Sequence, residues 1–349
     1  MAPTQNILVI GAGELGLQVL RSLVEHQQQQ QQEPRNATVS VLLRPTSIPS
    51  SSNSTSTCSQ KQKEIDCLRS MGVHLVPGDV VEDSEHTLAS IFASYDTIIS
   101  CMGFVAGKGT QLKLTRAVLL SSSLPSSSSS SSSREDTTKR YIPWQFGVDY
   151  DIIGRGSAQD LFDEQLDVRD LLRSQQNSKT RWAIISTGMF TSFLFEPSFG
   201  VVDVENSTVR ALGSWENRIT VTTPEDIGRF TADIVLGEES DHLFSPSSSS
   251  NNDENGKVIY VGGDTISYAD LARLVEDTID IVRKPLTRTV LAVDAVRDAL
   301  AKDPGNSLLK YQAVFGKGDG VAWDLSETWN WQRGMRATTA EQWAREHLV

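Results

Sequence analysis

Cysteine is scarce in this 349-residue chain: only Cys58, Cys67 and Cys101 occur, an odd number too small for a disulfide scaffold. The five histidines are scattered, and no Cys or His pair has the spacing of a zinc site, so no metal is expected. Long apolar runs are missing as well, none approaching the ~20 residues that span a bilayer. The N-terminal MAPTQ lacks the basic and hydrophobic regions of a signal peptide. A reducing, cytoplasmic setting without membrane attachment is the expectation, and the sequons at Asn36, Asn53 and Asn206 then carry no meaning. Clusters of basic residues are also absent. With 32 Lys+Arg against 44 Asp+Glu the net charge is −12, which disfavours nucleic acid as a partner.

What is present suits a globular protein with a sizeable core: 38% hydrophobic and 22% charged residues. Four stretches read as insertions that bury too little apolar surface to offset their ordering entropy: Gln27–Gln32, Thr46–Gln60, Ser121–Ser133 and Ser245–Asn255. All four are expected to be mobile surface loops. Between them, strand and helix patterns alternate. Strands are expected at Asn6–Ile10, Val39–Leu43, Val73–Val76, Thr97–Cys101, Lys139–Ile142 and Trp182–Ser186. Helices are expected at Leu15–Glu25, Ile65–Met71, Leu88–Ser94, Gln111–Leu120 and Ala158–Arg173. Such alternation implies an α/β fold, a Rossmann-type doubly wound parallel sheet with right-handed crossovers.

The remainder is mixed and predicts a smaller, partly interleaved C-terminal α/β substrate subdomain. Strands are expected at Ile219–Thr222 and Val258–Val261. Thr223-Pro224-Glu225-Asp226 reads as a helix cap with proline just inside, and Ser267 with Asp270 as a capping box opening a helix through Ile281. Residues 1–155 are expected to form the nucleotide-binding domain, and residues 156–349 the remaining Rossmann elements plus the substrate subdomain.

The strongest local signal is Gly11-Ala12-Gly13-Glu14-Leu15-Gly16, which follows an expected strand and opens an expected helix. Gly11 suits the tight turn, Gly13 lets backbone approach a diphosphate, and Gly16 permits close helix–strand packing. The amides of the first turn at Glu14 and Leu15 would face the anion. The plainer alternative is a turn that merely needs glycines. The second strand ends in Arg44, with Thr46 and Ser47 able to donate and no acid nearby, which points to NADPH, since a cation suits a 2′-phosphate. The alternative there is a solvated surface arginine. Gly103–Thr110 lacks P-loop spacing, no GxSxG elbow occurs, and no tyrosine has a lysine four residues later.

At Lys139–Asp151 (KRYIPWQFGVDYD) the chain resembles the NmrA-like and isoflavone reductase-like family of atypical short-chain dehydrogenases. The resemblance extends over the glycine motif, the Arg-ended second strand, Gly78-Asp79, Leu161–Arg173, Ser186–Phe195 and Thr223–Gly228, and the Ser and Gln tracts fit a fungal-type member. It implies that Pro143, Gln145 and Phe146 border a nicotinamide. It also implies that Ser100, Met102, Gly103 and Gln111 line the adenosine-phosphate side. Trp144, Met189, Phe190 and Phe193 would then face a substrate pocket, Trp144 making it bulkier than in the plant reductases. Family reductases carry a lysine where this chain has Gln165, and a glutamine has no useful pKa. Gln165 is therefore expected to polarise a carbonyl by hydrogen bonding, with Tyr150 or water giving the proton. The expected activity is reduction, in secondary metabolism, of a small hydrophobic aromatic or polyketide-like carbonyl or conjugated double bond. The alternative is a non-catalytic NADP(H)-binding redox sensor.

Overall fold

The computed structural model describes residues 5–29, 37–48, 60–125, 138–175, 179–245, 255–278 and 285–348. The chain packs as two compact units. The first comprises residues 1–144, 167–184 and 227–258, the second residues 145–166, 185–226 and 259–349.

In the first unit the expected strands form. They are β1 (Gln5–Ile10), β2 (Ala37–Leu43), β3 (His74–Pro77), β4 (Thr97–Ser100), β5 (Lys139–Ile142) and β6 (Thr180–Ser186). Together with the strand Gly256–Tyr260 they make a seven-stranded sheet, ordered from that strand through β6, β5, β4, β1 and β2 to β3. Each pairing among β1–β6 is parallel. The order reverses between β1 and β4, the switch point at which open α/β sheets place ligands. Ile7, Leu8, Val9 and Ile10 are fully buried, as a strand covered on both faces requires.

Helices α1 (Glu14–Gln29), α2 (Gln60–Ser70), α3 (Glu85–Phe92) and α4 (Thr110–Ser121) fill the crossovers. α1 buries Leu15, Val19, Leu20 and Leu23, each worth ~1.5–3 kcal/mol against exposure. One core of this unit gathers Leu8, Ile10, Phe92, Ile98, Leu114, Val118 and Trp182. Several boundaries differ from expectation, among them α2, which begins at Gln60 rather than Ile65, and α3, which begins at Glu85 rather than Leu88. Gln27–Gln29 continue α1 rather than leaving it, and Gln27 Nε2 donates to Ala37 O at 3.0 Å. Glutamine is a good helix former, and extending a helix costs less than starting one. The helix expected from Ala158 instead runs Leu161–Arg173, where Gln159 takes the first amides, its Oε1 accepting the Leu161 N–H at 3.5 Å and its backbone oxygen the Phe162 N–H at 3.0 Å. The other parts of the insertions lie mostly outside the described residues.

The helix Pro224–Leu236 starts as its sequence predicts, with Thr223 Oγ1 accepting the Asp226 N–H at 3.2 Å. At Gly228 a Cβ would lie 2.6 Å from Gln18 O, so glycine lets this helix lie against α1.

The second unit holds two small sheets. One orders Asp264–Ser267, Arg218–Thr222 and Met189–Phe190; the other Thr287–Leu291, Thr208–Leu212 and Val202–Asp203. Its core joins Phe199, Val209, Leu212, Ile219, Val221, Tyr268 and Leu271. Ser267 Oγ accepts the Asp270 N–H at 3.0 Å and donates to Asp270 Oδ2 at 2.6 Å. The Asp270 carboxylate thus takes the Ser267 hydroxyl, where a full capping box would have it take the backbone N–H.

Candidate functional site

The glycine turn follows β1 in the first unit. Gly11 sits at φ +92°, a conformation that favours glycine, and its N–H points to Leu42 O at 3.4 Å. A Cβ on Gly16 would overlap the Gly11 carbonyl oxygen and lie 3.0 Å from Gly11 C. Gly13 differs from both: its φ is ordinary, and a Cβ there would meet nothing within 4 Å. The first bond inside α1 runs from Leu17 N–H to Gly13 O at 2.9 Å, so the amides of the turn before it lack intrahelical acceptors. Leu15 is buried and anchors the turn, while Glu14 is exposed. An open face above a helix N-terminus is the geometry that accepts a diphosphate.

Arg44 leaves β2 and leads into a single 3-10 turn, Pro45–Ser47. Its side chain and Thr46 are exposed. The expectation of no acid nearby is corrected here: Asp79 Oδ2 lies 3.8 Å from Arg44 Nε. The acid arrives from the end of β3, because β2 and β3 are parallel neighbours with Leu43 opposite Pro77. Backbone N–H groups of Val81 and Glu82, at 2.9 and 3.3 Å, bond Asp79 Oδ1 and hold the carboxyl below its ordinary range, aided by Arg44.

Beyond β4, Ser100 is fully buried and its Oγ has no partner among the described residues. Met102 Cε lies 3.5 Å from where a Gly11 Cβ would stand, and Trp144 Cζ2 3.3 Å from the same point on Gly103. Gln111, buried on α4, donates Nε2 to Met102 O at 2.7 Å and to Gly103 O at 3.4 Å, which fixes that loop. Pro143 is buried after β5 and Trp144 half-buried. The turn, Met102, Gly103, Gln111 and Trp144 are thus brought together in this unit.

In the second unit, Gln145 is fully buried and donates Nε2 to the Gln165 backbone oxygen at 2.9 Å. Gln165 is also fully buried, yet neither atom of its side-chain amide has a partner among the described residues. Phe146 is buried, and Gly147 O accepts the N–H groups of Thr187 and Gly188 at 2.9 and 3.0 Å. Tyr150 opens a single helical turn capped by Asp149 and packs edge-on to Phe162, with centroids 5.0 Å apart. Its hydroxyl lies 2.7 Å from where a Gly147 Cβ would stand. Met189 is buried; Phe190 and Phe193 are half-buried, the latter 4.7 Å from the Phe199 ring and 6.3 Å from Tyr311.

Sequence reading missed the Tyr260 hydroxyl, which donates to buried Asp149 Oδ2 at 2.5 Å. It also missed the buried hydroxyls of Ser186 and Thr191, which have no partner among the described residues. No local pattern marks them. Among the described residues no group of three or more His, Cys, Asp and Glu is placed to hold a metal, and no helix is long and apolar enough to cross a membrane.

No family model matches the chain. A curated protein of Gibberella moniliformis, an NmrA-like family domain-containing oxidoreductase, is 42% identical over 343 residues, covering 98% of both chains. Among solved structures, isoflavone reductase superposes with a TM-score of 0.69 at 17% identity, covering 99% of this chain and 100% of that one. Leucoanthocyanidin reductase of Vitis vinifera, solved with NADPH, gives 0.69 at 17%, covering 99% of each. An NADPH-dependent quinone oxidoreductase of Escherichia coli, also complexed with NADPH, gives 0.64 at 17%, covering 98% of this chain and 99% of its own. At these identities the structures establish the shared fold.

Proposed function

This chain belongs to the NmrA-like family of oxidoreductases, and from that premise we propose that it is a cytoplasmic NADPH-dependent reductase. Its substrate is a small hydrophobic, aromatic or polyketide-like carbonyl or conjugated double bond, in secondary metabolism. The observation that carries this reading is the open face at Gly13, above the first turn of α1.

The residues fit the cofactor. Gly13 and the amides of Glu14 and Leu15 would receive the diphosphate, with Gly11 and Gly16 shaping the turn. Arg44 and Thr46 would meet the 2′-phosphate. Gln111 holds the backbone of Met102 and Gly103, beside which Ser100 presents a hydroxyl with no partner among the described residues. Residues 1–155 take this nucleotide-binding role. Bound NADPH supplies the hydride. The chain then orients the acceptor and manages one proton. Gln145 fixes the Gln165 backbone, and the Gln165 side-chain Nε2 donates to the substrate carbonyl; Tyr150 gives the proton; Pro143 and Phe146 would exclude water near a bound nicotinamide. Trp144, Met189, Phe190 and Phe193 supply apolar walls. Leaving a buried amide unpaired costs ~1–3 kcal/mol, of which a ligand carbonyl would offset the share due to Nε2.

A second reading, a dinucleotide-binding redox sensor without turnover, is favoured by one observation: Gln165 offers no titratable proton where family reductases carry lysine. Titration with NADPH and NADH, then NADPH oxidation against aromatic and polyketide ketones, aldehydes and enones, separates the two. Oxidation with any acceptor supports the reductase. Tight binding without turnover across the panel favours the sensor, and no binding of either nucleotide refutes both.

A further inference from the structure

Asp79 takes no part in the function proposed above. β2 and β3 run parallel, so the residues that follow them leave the same end of the sheet side by side. Gly78 N–H donates to Leu43 O at 3.0 Å, and a Cβ on Gly78 would lie 2.6 Å from Leu42 Cδ1, so glycine draws the loop after β3 onto β2. The loop is then fastened at several points. Asp79 N–H donates to Asp83 Oδ2 at 2.7 Å, Asp79 Oδ1 takes the Val81 and Glu82 N–H groups, and Lys113 Nζ donates to Val81 O at 2.7 Å. One carboxylate oxygen therefore serves the loop, and the other faces Arg44 at 3.8 Å.

We propose that Asp79 is a specificity-determining residue for the dinucleotide: its carboxylate partly neutralises Arg44 and so holds down the preference for a nucleotide bearing a 2′-phosphate over one with a free 2′-hydroxyl. The proposal rests on the NADPH reading above. At 3.8 Å, with the Arg44 side chain exposed, the pair contributes little to folding, so stability does not account for the second oxygen. The loop bonds need only an acceptor at Oδ1, which an asparagine would supply as well. The negative charge adds one thing asparagine lacks: repulsion of a second anion approaching the same guanidinium. Glu82, Asp83 and Glu85 follow on this segment, Arg116 is engaged by Glu85 at 3.5 Å, and Lys113, which donates to Val81 O, acts on Asp79 together with Arg44.

The test is titration of the full chain and its Asp79→Asn, Arg44→Ala and doubly substituted forms with NADPH, NADH, 2′,5′-ADP and 5′-ADP. Asp79→Asn is expected to bind NADPH and 2′,5′-ADP about three- to tenfold more tightly, with NADH and 5′-ADP changing less than about twofold. The gain should shrink between about 0.05 and 0.5 M salt, where screening becomes short-ranged. It should vanish in the Arg44→Ala background. Unchanged or weaker NADPH binding by Asp79→Asn, an equal gain for NADH, or a gain that survives Arg44→Ala would overturn the proposal. If the asparagine form is unstable, Asp79→Ser, which keeps a loop acceptor, replaces it. Absence of binding by wild type would overturn the NADPH reading itself and this proposal with it.

Discussion

Two glycines three positions apart should respond oppositely to the same added methyl group. At Gly16 a Cβ would overlap Gly11 O and press on Gly11 C at 3.0 Å. Both are backbone atoms, so no side chain can swing aside. Overpacking of this kind costs ~1–3 kcal/mol, and the upper end applies where the neighbour is rigid. Alanine recovers up to ~1 kcal/mol of helix propensity over glycine. Gly16→Ala should therefore lower stability by about 2 kcal/mol net. At Gly13 the new methyl meets nothing within 4 Å, and the φ angle suits any residue. There the smaller unfolded-state entropy should leave stability unchanged or raised by ~0.4–1 kcal/mol.

The ligand reverses the ranking of harm. The methyl of Gly13→Ala would occupy the open face that the diphosphate needs, so NADPH affinity should fall at least about tenfold, or ~1.4 kcal/mol. Urea unfolding measures the first effect and NADPH titration of the folded variants the second. A Gly13→Ala protein that binds NADPH like wild type would refute the assignment of that face. Equal destabilisation by the two substitutions would refute the packing argument.

Neither atom of the buried Gln165 amide has a partner among the described residues, so Gln165→Met should raise the stability of the ligand-free protein by about 1 kcal/mol while lowering turnover more than NADPH affinity. A loss of stability in urea unfolding would mean that the amide is satisfied in solution. Arg44→Asp should remove at least about tenfold of any NADPH over NADH preference in paired titrations; an unchanged ratio would contradict a role for Arg44 at the 2′-phosphate. Burial holds the Lys139 ammonium, which donates to Phe92 O at 2.8 Å and to Tyr95 O, at a pKa of about 8 rather than 10.5. Between those two values the unfolded chain binds more protons than the native one, so stability relative to Lys139→Met should rise from about pH 8 to 10.5. A difference flat across that window in denaturant titrations would oppose it.

The glycine turn was legible because its evidence is local. A buried strand, three glycines and a helical stripe lie within one stretch of chain, and Gly11 and Gly16 each have a distinct steric reason. The caps at Thr223 and Ser267 were legible on the same ground, since a cap is a bond over three residues. Periodicity has less to offer where elements are very short. The two-residue strands Met189–Phe190 and Val202–Asp203 complete no period and took shape only as partners of Arg218–Thr222 and Thr208–Leu212. The glutamine tract misled for a related reason: its composition reads as a loop, while its first residues continue a helix already nucleated upstream.

The misreading at Arg44 has another origin and bears directly on cofactor choice. Sequence placed the cation correctly at the end of β2, but whether it stands alone depends on what the neighbouring strand delivers beside it. The register of Leu43 opposite Pro77 delivers a carboxylate. Gln165 teaches the same lesson in reverse. Its chemical type was legible, yet its full burial without a partner among the described residues is revealed only by the packed unit. Residue identity thus names the groups available for chemistry, and the pairing of strands and the closure of the core decide what charge and hydrogen-bonding capacity each retains. Cofactor preference in this fold should accordingly follow the charge balance at the ends of β2 and β3 together, rather than the last residue of β2 alone.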